Sequence, residues 1–515
     1  MVMNVKEYKN KVRGCWLGKN IGGTLGAPFE GKRGVFEIEG YTHDLSQGVL
    51  PNDDLDLQLV WLNAAEKYGR NVDAKILADY WIPFVVADWA EYGGGKNNIK
   101  RGISPPLSGW YNNTMRDSCG CFIRSEIWAC LAPGHPEIAV QYAFEDASVD
   151  HSADGLYAEI FCAAVQSAAF AESDINTLID IGLSYIPADC GVTLAVNTAR
   201  GAHKNGDDWK AARKKVLKAV PGTFGLYAGG YEDREPEPDI PFGEFGYDAP
   251  GNIGIIIIGW LYGEGDLRKS LCIAAGCGED GDCTCATLGA IMGIISGADK
   301  LPKDLLDPIG DEIKTISLNL TDWTFPIPKT ITQLTDRVCN LMPVFMGNYC
   351  DTMNEDGVEI MLNKTEDMYD REKPFHGSQV VATTFCDKLK TQPHGISVHN
   401  VLFDTIVNCV DGINVKPNTD IKFEIRFKNN MHRQQWLNCR LIMPCDWTAS
   451  TGREFSINLD QGHCGYVVAD FETVINPGED VNQASYDVVL EVTSNGYLNR
   501  TYVPIKLFNN PQKLI

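Results

Sequence analysis

Carboxylates crowd at two places where this chain is expected to start an apolar helix. The first group is Asn52-Asp53-Asp54-Leu55-Asp56, and the second is Gly278-Glu279-Asp280-Gly281-Asp282-Cys283. After the first, Leu55, Leu59 and Leu62 fall on one helical face. After the second, the run from Thr284 to Ile295 is largely apolar, with Gly289 and Gly293 one turn apart. A helix N-terminus welcomes one carboxylate, because its free N–H groups and positive dipole end favour negative charge. It does not need three, since like charges about 4 Å apart repel by roughly 4 kcal/mol at an effective dielectric near 20. Such crowding persists where a cation neutralises it or where some groups keep their protons. If both helix starts face the same point, four or more carboxylates converge there, which suits hard divalent cations with oxygen ligands. Either string alone reads as a solvated turn or a cap, so the metal reading rests on their combination.

The elements that would position these groups are mostly helices. Stretches such as 55–67, 75–91, 136–149, 153–171, 176–185, 207–218, 253–262 and 283–297 are rich in Ala and Leu at helical spacing. Glycines at 14, 18, 22 and 26 form an i, i+4 strip. Each costs about 1 kcal/mol relative to Ala inside a helix, so four in register predict close backbone approach to another helix. Gly225 to Asn252 reads as a long acidic loop able to cover a site. Residues 311–371 are mixed, with strand-like alternation at 312–319 and 326–333. From about residue 378 the texture becomes β, with alternating runs at 379–385, 396–408, 420–428, 436–443, 465–475, 485–493 and 500–507. The charged stretch Asn363–Ser378, with Pro374, reads as the linker. The expected organisation is a helical domain over 1–365, with a mixed extension after about 310, and an Ig-like β-sandwich over 378–515.

Bulk properties agree with a soluble, cytoplasmic protein of more than one domain. The chain has 515 residues, 44% hydrophobic and 22% charged, and a net charge of −23. That charge, without a compensating basic run, argues against a nucleic-acid partner. No run reaches the ~20 apolar residues of a membrane span, and Ile253 to Trp260 reads as a buried element. The start, MVMNVKEYKNKVRG, lacks a hydrophobic signal region. The 17 cysteines contain no C-x-x-C pair and lie largely inside apolar runs, as packed thiols in a reducing compartment would. Neither Cys119-Gly-Cys121 nor Cys277/Cys283/Cys285 has the spacing of a zinc finger.

Taken together, five segments resemble the ADP-ribosylglycohydrolase family, over roughly residues 8–300. They are the Gly-rich helix ending in Ala27-Pro28-Phe29-Glu30, the Asn52-Asp53-Asp54-Leu55 motif, and the small-residue turn Ser118-Cys119-Gly120-Cys121 before Arg124. The fourth is His151 in DHSADGLYAE, and the last is Gly278-Glu-Asp280-Gly-Asp282-Cys283 with its small-residue helix. The resemblance implies an all-α hydrolase cleaving a glycosidic bond at the ribose of ADP-ribose, in a small-molecule or protein-linked substrate. It implies two divalent cations, Mg²⁺ or alternatively Mn²⁺, held by Asn52, Asp53, Asp54, Asp280 and Asp282. It also implies Glu30 as general acid/base or as the carboxylate steadying an oxocarbenium ion, and Asp54 as orienting the attacking water. Gly120 and His151 would contact substrate. Two departures stand out: Asn52 and Cys283 occupy positions where the family carries Thr hydroxyls, and a thiol is a soft ligand that suits Mg²⁺ poorly. Trp110 and Tyr111 are candidates to stack a sugar or base. The alternatives are hydrolysis of another riboside, nucleoside or glycoside, or a fold-keeping protein that binds nucleotide or metal without turnover. The sandwich would carry substrate loops, mediate self-association into a homo-oligomer, or cap the helical domain.

Overall fold

The computed structural model describes residues 1–220, 246–320, 326–351, 357–371, 384–389, 395–461 and 467–509. The chain divides into two compact units, Met1–Asp370 and Arg371–Ile515. The first is helical and is organised around helix Gly281–Ser296, buried without interruption from Gly281 to Ile294. A helix apolar or small on all sides has no face to offer water, so it must run through a core. Helix Val5–Gly26 lies antiparallel along it. Gly14 meets Gly293, Gly18 meets Gly289, Gly22 meets Cys285 and Gly26 meets Gly281. A Cβ at any of these four glycines would fall on the facing carbonyl oxygen. The spacing of four in both helices aligns their i±4 rows. Missing side chains are what let the backbones touch.

Helices Asp53–Tyr68, Ala153–Ala168 and Leu267–Gly276 also pack in this unit. The expected helix over 75–91 is two helices, Ala74–Phe84 and Ala90–Lys100. Pro83 sits in the last turn of the first, where it has no N–H to give to the turn before it. Most of the predicted loop at 225–252 lies outside the described residues. Its last four residues are helical, because Ala249–Gly263 starts there with Pro250 in its first turn.

The strand expected at 326–333 is overturned. Ile331–Met346 is a helix, capped by the Thr330 hydroxyl, which accepts from the Gln333 N–H at 3.1 Å. Its buried face is Ile331, Leu334, Val338, Leu341, Met342 and Phe345. That is helical spacing, which a window of eight residues was too short to separate from alternation. Segment 312–319 makes isolated bridges, Glu312 to Thr330 and Leu318 to Val85, and no ladder among the described residues. A small sheet pairs Val2–Asn4 with Glu359–Met361, which pairs in turn with Cys350–Asp351. The chain as far as Met361 is thereby tied to its own start.

The second unit contains two five-stranded sheets. One runs Glu454–Leu459, Gln435–Ile442, Ser485–Ser494, Arg500–Asn509 and Asn414–Val415; the other runs Thr448–Ala449, Val468–Asn476, Ile421–Asn429, Phe403–Cys409 and Gly395–His399. Among the described residues, all pairings in these two sheets are antiparallel except Arg500–Asn509 with Asn414–Val415. Alternation decides which face is inside. In Ile421–Asn429, Phe423, Ile425 and Phe427 are buried, while Lys422, Glu424, Arg426 and Lys428 face outward. The run predicted at 396–408 is two strands joined by a turn. Of the run predicted at 379–385, residues 379–383 lie outside the described residues, and Phe385 opens a short helix, Phe385–Leu389.

Candidate metal centre

The two acidic segments meet. Asn52 caps helix Asp53–Tyr68, its side-chain oxygen accepting from the Asp54 N–H at 2.6 Å. Its amide nitrogen lies 3.4 Å from Asp282 Oδ2 across the site. Asp280 is the N-cap residue of helix Gly281–Ser296, and Asp282 sits in that helix's first turn. The glycine strip sets the approach, because Gly26 is in contact with Gly281 at the site end. A two-residue ladder, Lys32↔Glu279 and Arg33↔Gly278, then pins the acidic loop to the chain just after Glu30.

Not every carboxylate in the two strings belongs to the centre. Asp56 is buried and accepts from the N–H groups of Ile316 and Ser317 at 2.8 and 2.6 Å, and from the Ser317 hydroxyl at 2.9 Å. It anchors a distant segment. Glu279 receives Arg33 through Nε and Nη2 at 2.8 and 2.9 Å, with Arg213 at 3.4 Å. What remains is Asp53, Asp54, Asp280 and Asp282. Three oxygens of this set, Asp54 Oδ2, Asp280 Oδ1 and Asp282 Oδ1, are buried with no donor among the described residues. Buried polar oxygens are normally satisfied, and carboxylate oxygens without a donor fit a bound cation. The nearby buried ammonium, Lys19, is already held by Ile123 O at 2.7 Å and Glu126 Oε1 at 3.1 Å.

Without a cation, the cluster keeps protons. Burial first, then repulsion from Asp282, pushes Asp54 well above the ordinary carboxylate range. Burial, with Cys119 and Asp282 adding to it, does the same to Asp280, and burial raises Asp282. Asp53, half-buried, is pushed up to about 7 by burial and by Asp282. Glu30 is exposed yet lies close enough to the cluster that Asp282, then partial burial and Asp53, push it up to about 8. It stands at the rim, open to water on one side and facing aspartates on the other. A pocket of about 320 Å³, counting its open mouth, reaches Asn52 and Asp54 and is walled by Lys19, Gly23, Thr24 and Leu55.

The other predicted residues sit behind the centre. His151 has no exposed surface; its Nε2 lies 2.9 Å from Ser118 Oγ and its Nδ1 2.9 Å from Asp150 Oδ1. Gly120 is pressed against Glu91 and Tyr92, with no room for a Cβ. Both are buried and both pack at the 118–121 turn. Tyr111 is buried as well, which removes its ring as a stacking face, while Trp110 is half-buried. The residue missed by sequence reasoning is Cys119. Its thiol lies 2.5 Å from Asp280 Oδ2. The turn that carries it was visible in the sequence, but nothing in its spacing revealed the carboxylate it would meet. Cys283, from the second acidic string, lies 3.3 Å from Asp54 Oδ1. The two thiols thus join two overlapping triads, Cys119–Asp280–Cys283 and Asp54–Asp282–Cys283, with donor atoms within 4.8 Å of one another in each.

Comparisons with known proteins can be set beside this geometry. A solved structure titled "ADP-ribosylglycohydrolase-related protein complex" is similar at 18% identity, covering 66% of this chain and 100% of its own, with a TM-score of 0.42. A FixG-related protein from Vibrio parahaemolyticus is similar at 11% identity over 21% of this chain and 95% of its own, with a TM-score of 0.17. Neither likeness is strong enough to argue from. Comparison with curated proteins finds no match. Residues 4–343, spanning the glycine-strip helix, both acidic strings and the 118–121 turn, match the family model for ADP-ribosylglycohydrolase, and the chain belongs to that family.

Proposed function

We propose that this protein hydrolyses a glycosidic bond of ADP-ribose or of a related riboside, with divalent cations held by Asp53, Asp54, Asp280 and Asp282 and with Glu30 as acid/base. The observation that supports the reading is that two groups sharing Cys283 bring Asp54, Asp280 and Asp282 together, each with a buried oxygen that has no donor among the described residues, with the exposed Glu30 close enough to feel Asp282. Family membership supports a glycosyl hydrolase, and the family is generally metal-dependent. Bound cations would supply orientation of vicinal hydroxyls and a more acidic water. Asp280 and Asp282 are fixed to a helix that cannot shift without breaking its glycine contacts. Asp54 holds the opposite side and orients the attacking water. Glu30, open to solvent, gives a proton to the leaving atom or takes one from water. Gly120 and His151 keep the 118–121 turn in place behind the centre. The substrate is a small molecule or a protein-linked glycoside.

The test is a panel of ADP-ribosyl peptides, nucleosides and aryl glycosides, incubated with Mg²⁺, Mn²⁺ or Zn²⁺ and scored for sugar release. At least one should be cleaved in a cation-dependent way, and Glu30→Gln should lower the rate by about 10²-fold or more. Asp280→Asn should abolish cation dependence. Saturable ADP-ribose binding with no product in any arm would show a fold-keeping binding protein instead.

A further inference from the structure

We propose that Cys119, Asp280 and Cys283 form a thiolate-rich subsite that takes one soft divalent cation of the zinc class, leaving the oxygens of Asp54 and Asp282 for a harder ion. This rests on the cation-binding part of the reading above and not on the reaction. The two cysteines come from separate parts of the fold, the 118–121 turn and the first turn of helix Gly281–Ser296, and both are buried. Their sulfurs and an Asp280 oxygen lie within 4.8 Å of one another, close enough to be drawn onto one ion. Asp280 Oδ1 is buried with no donor among the described residues.

The backbone under each ligand is already fixed. The Cys119 N–H donates to Tyr247 O at 3.0 Å, and the Asp280 N–H donates to Asn252 Oδ1 at 3.1 Å. The neighbouring thiols behave differently. Cys121 donates to Gly155 O at 2.7 Å and Cys285 to Leu271 O at 3.4 Å, as packed thiols do. Cys119 and Cys283 instead face carboxylates. Thiolate is a poor ligand for Mg²⁺ and a good one for Zn²⁺, which binds sulfur at about 2.3 Å and carboxylate oxygen at about 2.0–2.2 Å. Asn52 leans the same way, since its oxygen is engaged as a helix cap and its amide nitrogen faces Asp282. Two thiols in a centre that also contains oxygens without donors among the described residues make the two sides chemically unequal. Cys283 belongs to both triads and stands at their seam.

The experiment uses the full chain, reduced and stripped of metal by a chelator. Titration with Co²⁺ should raise a sulfur-to-cobalt charge-transfer band in the near ultraviolet that saturates at about one equivalent, because only thiolate ligands give it. Cys119→Ser and Cys283→Ser should each lower that band by roughly half or more, whereas Cys285→Ser should leave it unchanged. Zn²⁺ should displace the cobalt, and about a hundredfold excess of Mg²⁺ should not. Should a serine variant fail to fold, X-ray absorption of the zinc-loaded parent decides the matter, with sulfur scatterers expected near about 2.3 Å. A zinc shell of oxygen or nitrogen alone, a cobalt band unchanged in both folded variants, or displacement by Mg²⁺ overturns the proposal. Mg²⁺-dependent sugar release with no sulfur on any bound ion sinks the subsite and leaves the hydrolase reading standing. Sulfur-ligated zinc with no hydrolysis of any substrate does the reverse.

Discussion

Adding a single methyl group to the glycine strip tests whether the strip holds the centre together. In Gly22→Ala the new Cβ would land on the Cys285 carbonyl, with the Ala286 nitrogen 2.7 Å away. In Gly26→Ala it would land on the Gly281 carbonyl, with the Asp282 Cα at 2.8 Å, and in Gly14→Ala on the Gly293 carbonyl, with the Ala298 nitrogen at 2.9 Å. Every obstacle is backbone, so no side chain can rotate away. Replacing Gly by Ala in a helix favours folding by about 1 kcal/mol, while overpacking costs about 1–3 kcal/mol where side chains can adjust. With rigid obstacles the upper end applies, leaving a net loss of about 2 kcal/mol for each variant. Gly201→Ala is the control, because nothing among the described residues lies within 4 Å of its new Cβ, and it should gain up to about 1 kcal/mol. Urea unfolding of the helical unit, followed by far-ultraviolet circular dichroism, reads all four. Cation affinity, read by calorimetry, separates them further. Gly26→Ala displaces Asp282 directly and should weaken binding tenfold or more, about 1.4 kcal/mol. Gly14→Ala, some 18 Å farther along the helix, should leave affinity nearly intact. If Gly22→Ala is as benign as Gly201→Ala, the two backbones are not in contact and the reasoning fails.

Two further outcomes follow from the charges. Glu30 and Asp53 have folded pKa values near 8 and 7, above their ordinary 4.5 and 3.8, so the folded form holds their protons more tightly. Their stabilising contribution is complete below the ordinary values and is lost as pH rises through the folded ones. The metal-free protein should therefore melt at lower temperature at pH 8 than at pH 5, and a saturating divalent cation should remove most of that difference; a metal-free melting point that climbs over this range contradicts the clustering. Arg124 is fully buried, bonded to Asp146 Oδ1 at 2.7 Å and Asp150 Oδ1 at 2.5 Å, with Gly120 O at 2.9 Å and Glu159 at 3.9 Å. Arg124→Met leaves buried carboxylates without their counter-charge and should cost about 3–5 kcal/mol in urea unfolding; a loss within about 0.5 kcal/mol, the range of an ordinary surface substitution, would contradict the network.

Sequence was informative where a local pattern and the tertiary contact demanded the same residue. The glycines at 14, 18, 22 and 26 are costly in any helix, so their spacing announced a partner before the partner was known. The alternation in Ile421–Asn429 likewise stated which side chains face inward. Elements were misread where the pattern was short or interrupted. Ile331–Met346 follows a stretch whose first residues alternate, and Pro83 divides what reads as one helix. Strand Glu454–Leu459 escaped notice because its inner positions are only half-buried and its hydrophobic contrast is weak.

For the centre, carboxylate identity was legible and carboxylate duty was not. Asp53, Asp54 and Asp56 look alike in a sequence, yet Asp56 turns to Ser317 and the other two turn to Asp282's side of the cluster. Glu279 and Asp280 are adjacent, yet one meets two arginines and the other meets a thiol. The partners that sort them come from far along the chain, and no local rule names them. The four remaining aspartates are not equivalent either. Asp54, Asp280 and Asp282 are buried, whereas Asp53 is half-buried and has the Tyr92 hydroxyl 3.4 Å from its Oδ2. Glu30, the most exposed of the carboxylates, is pushed up by Asp282 and Asp53 together. The buried three are shielded from solvent, while Asp53 and Glu30 are the members of the cluster that water reaches. Access to the centre is therefore expected between residues 30 and 53.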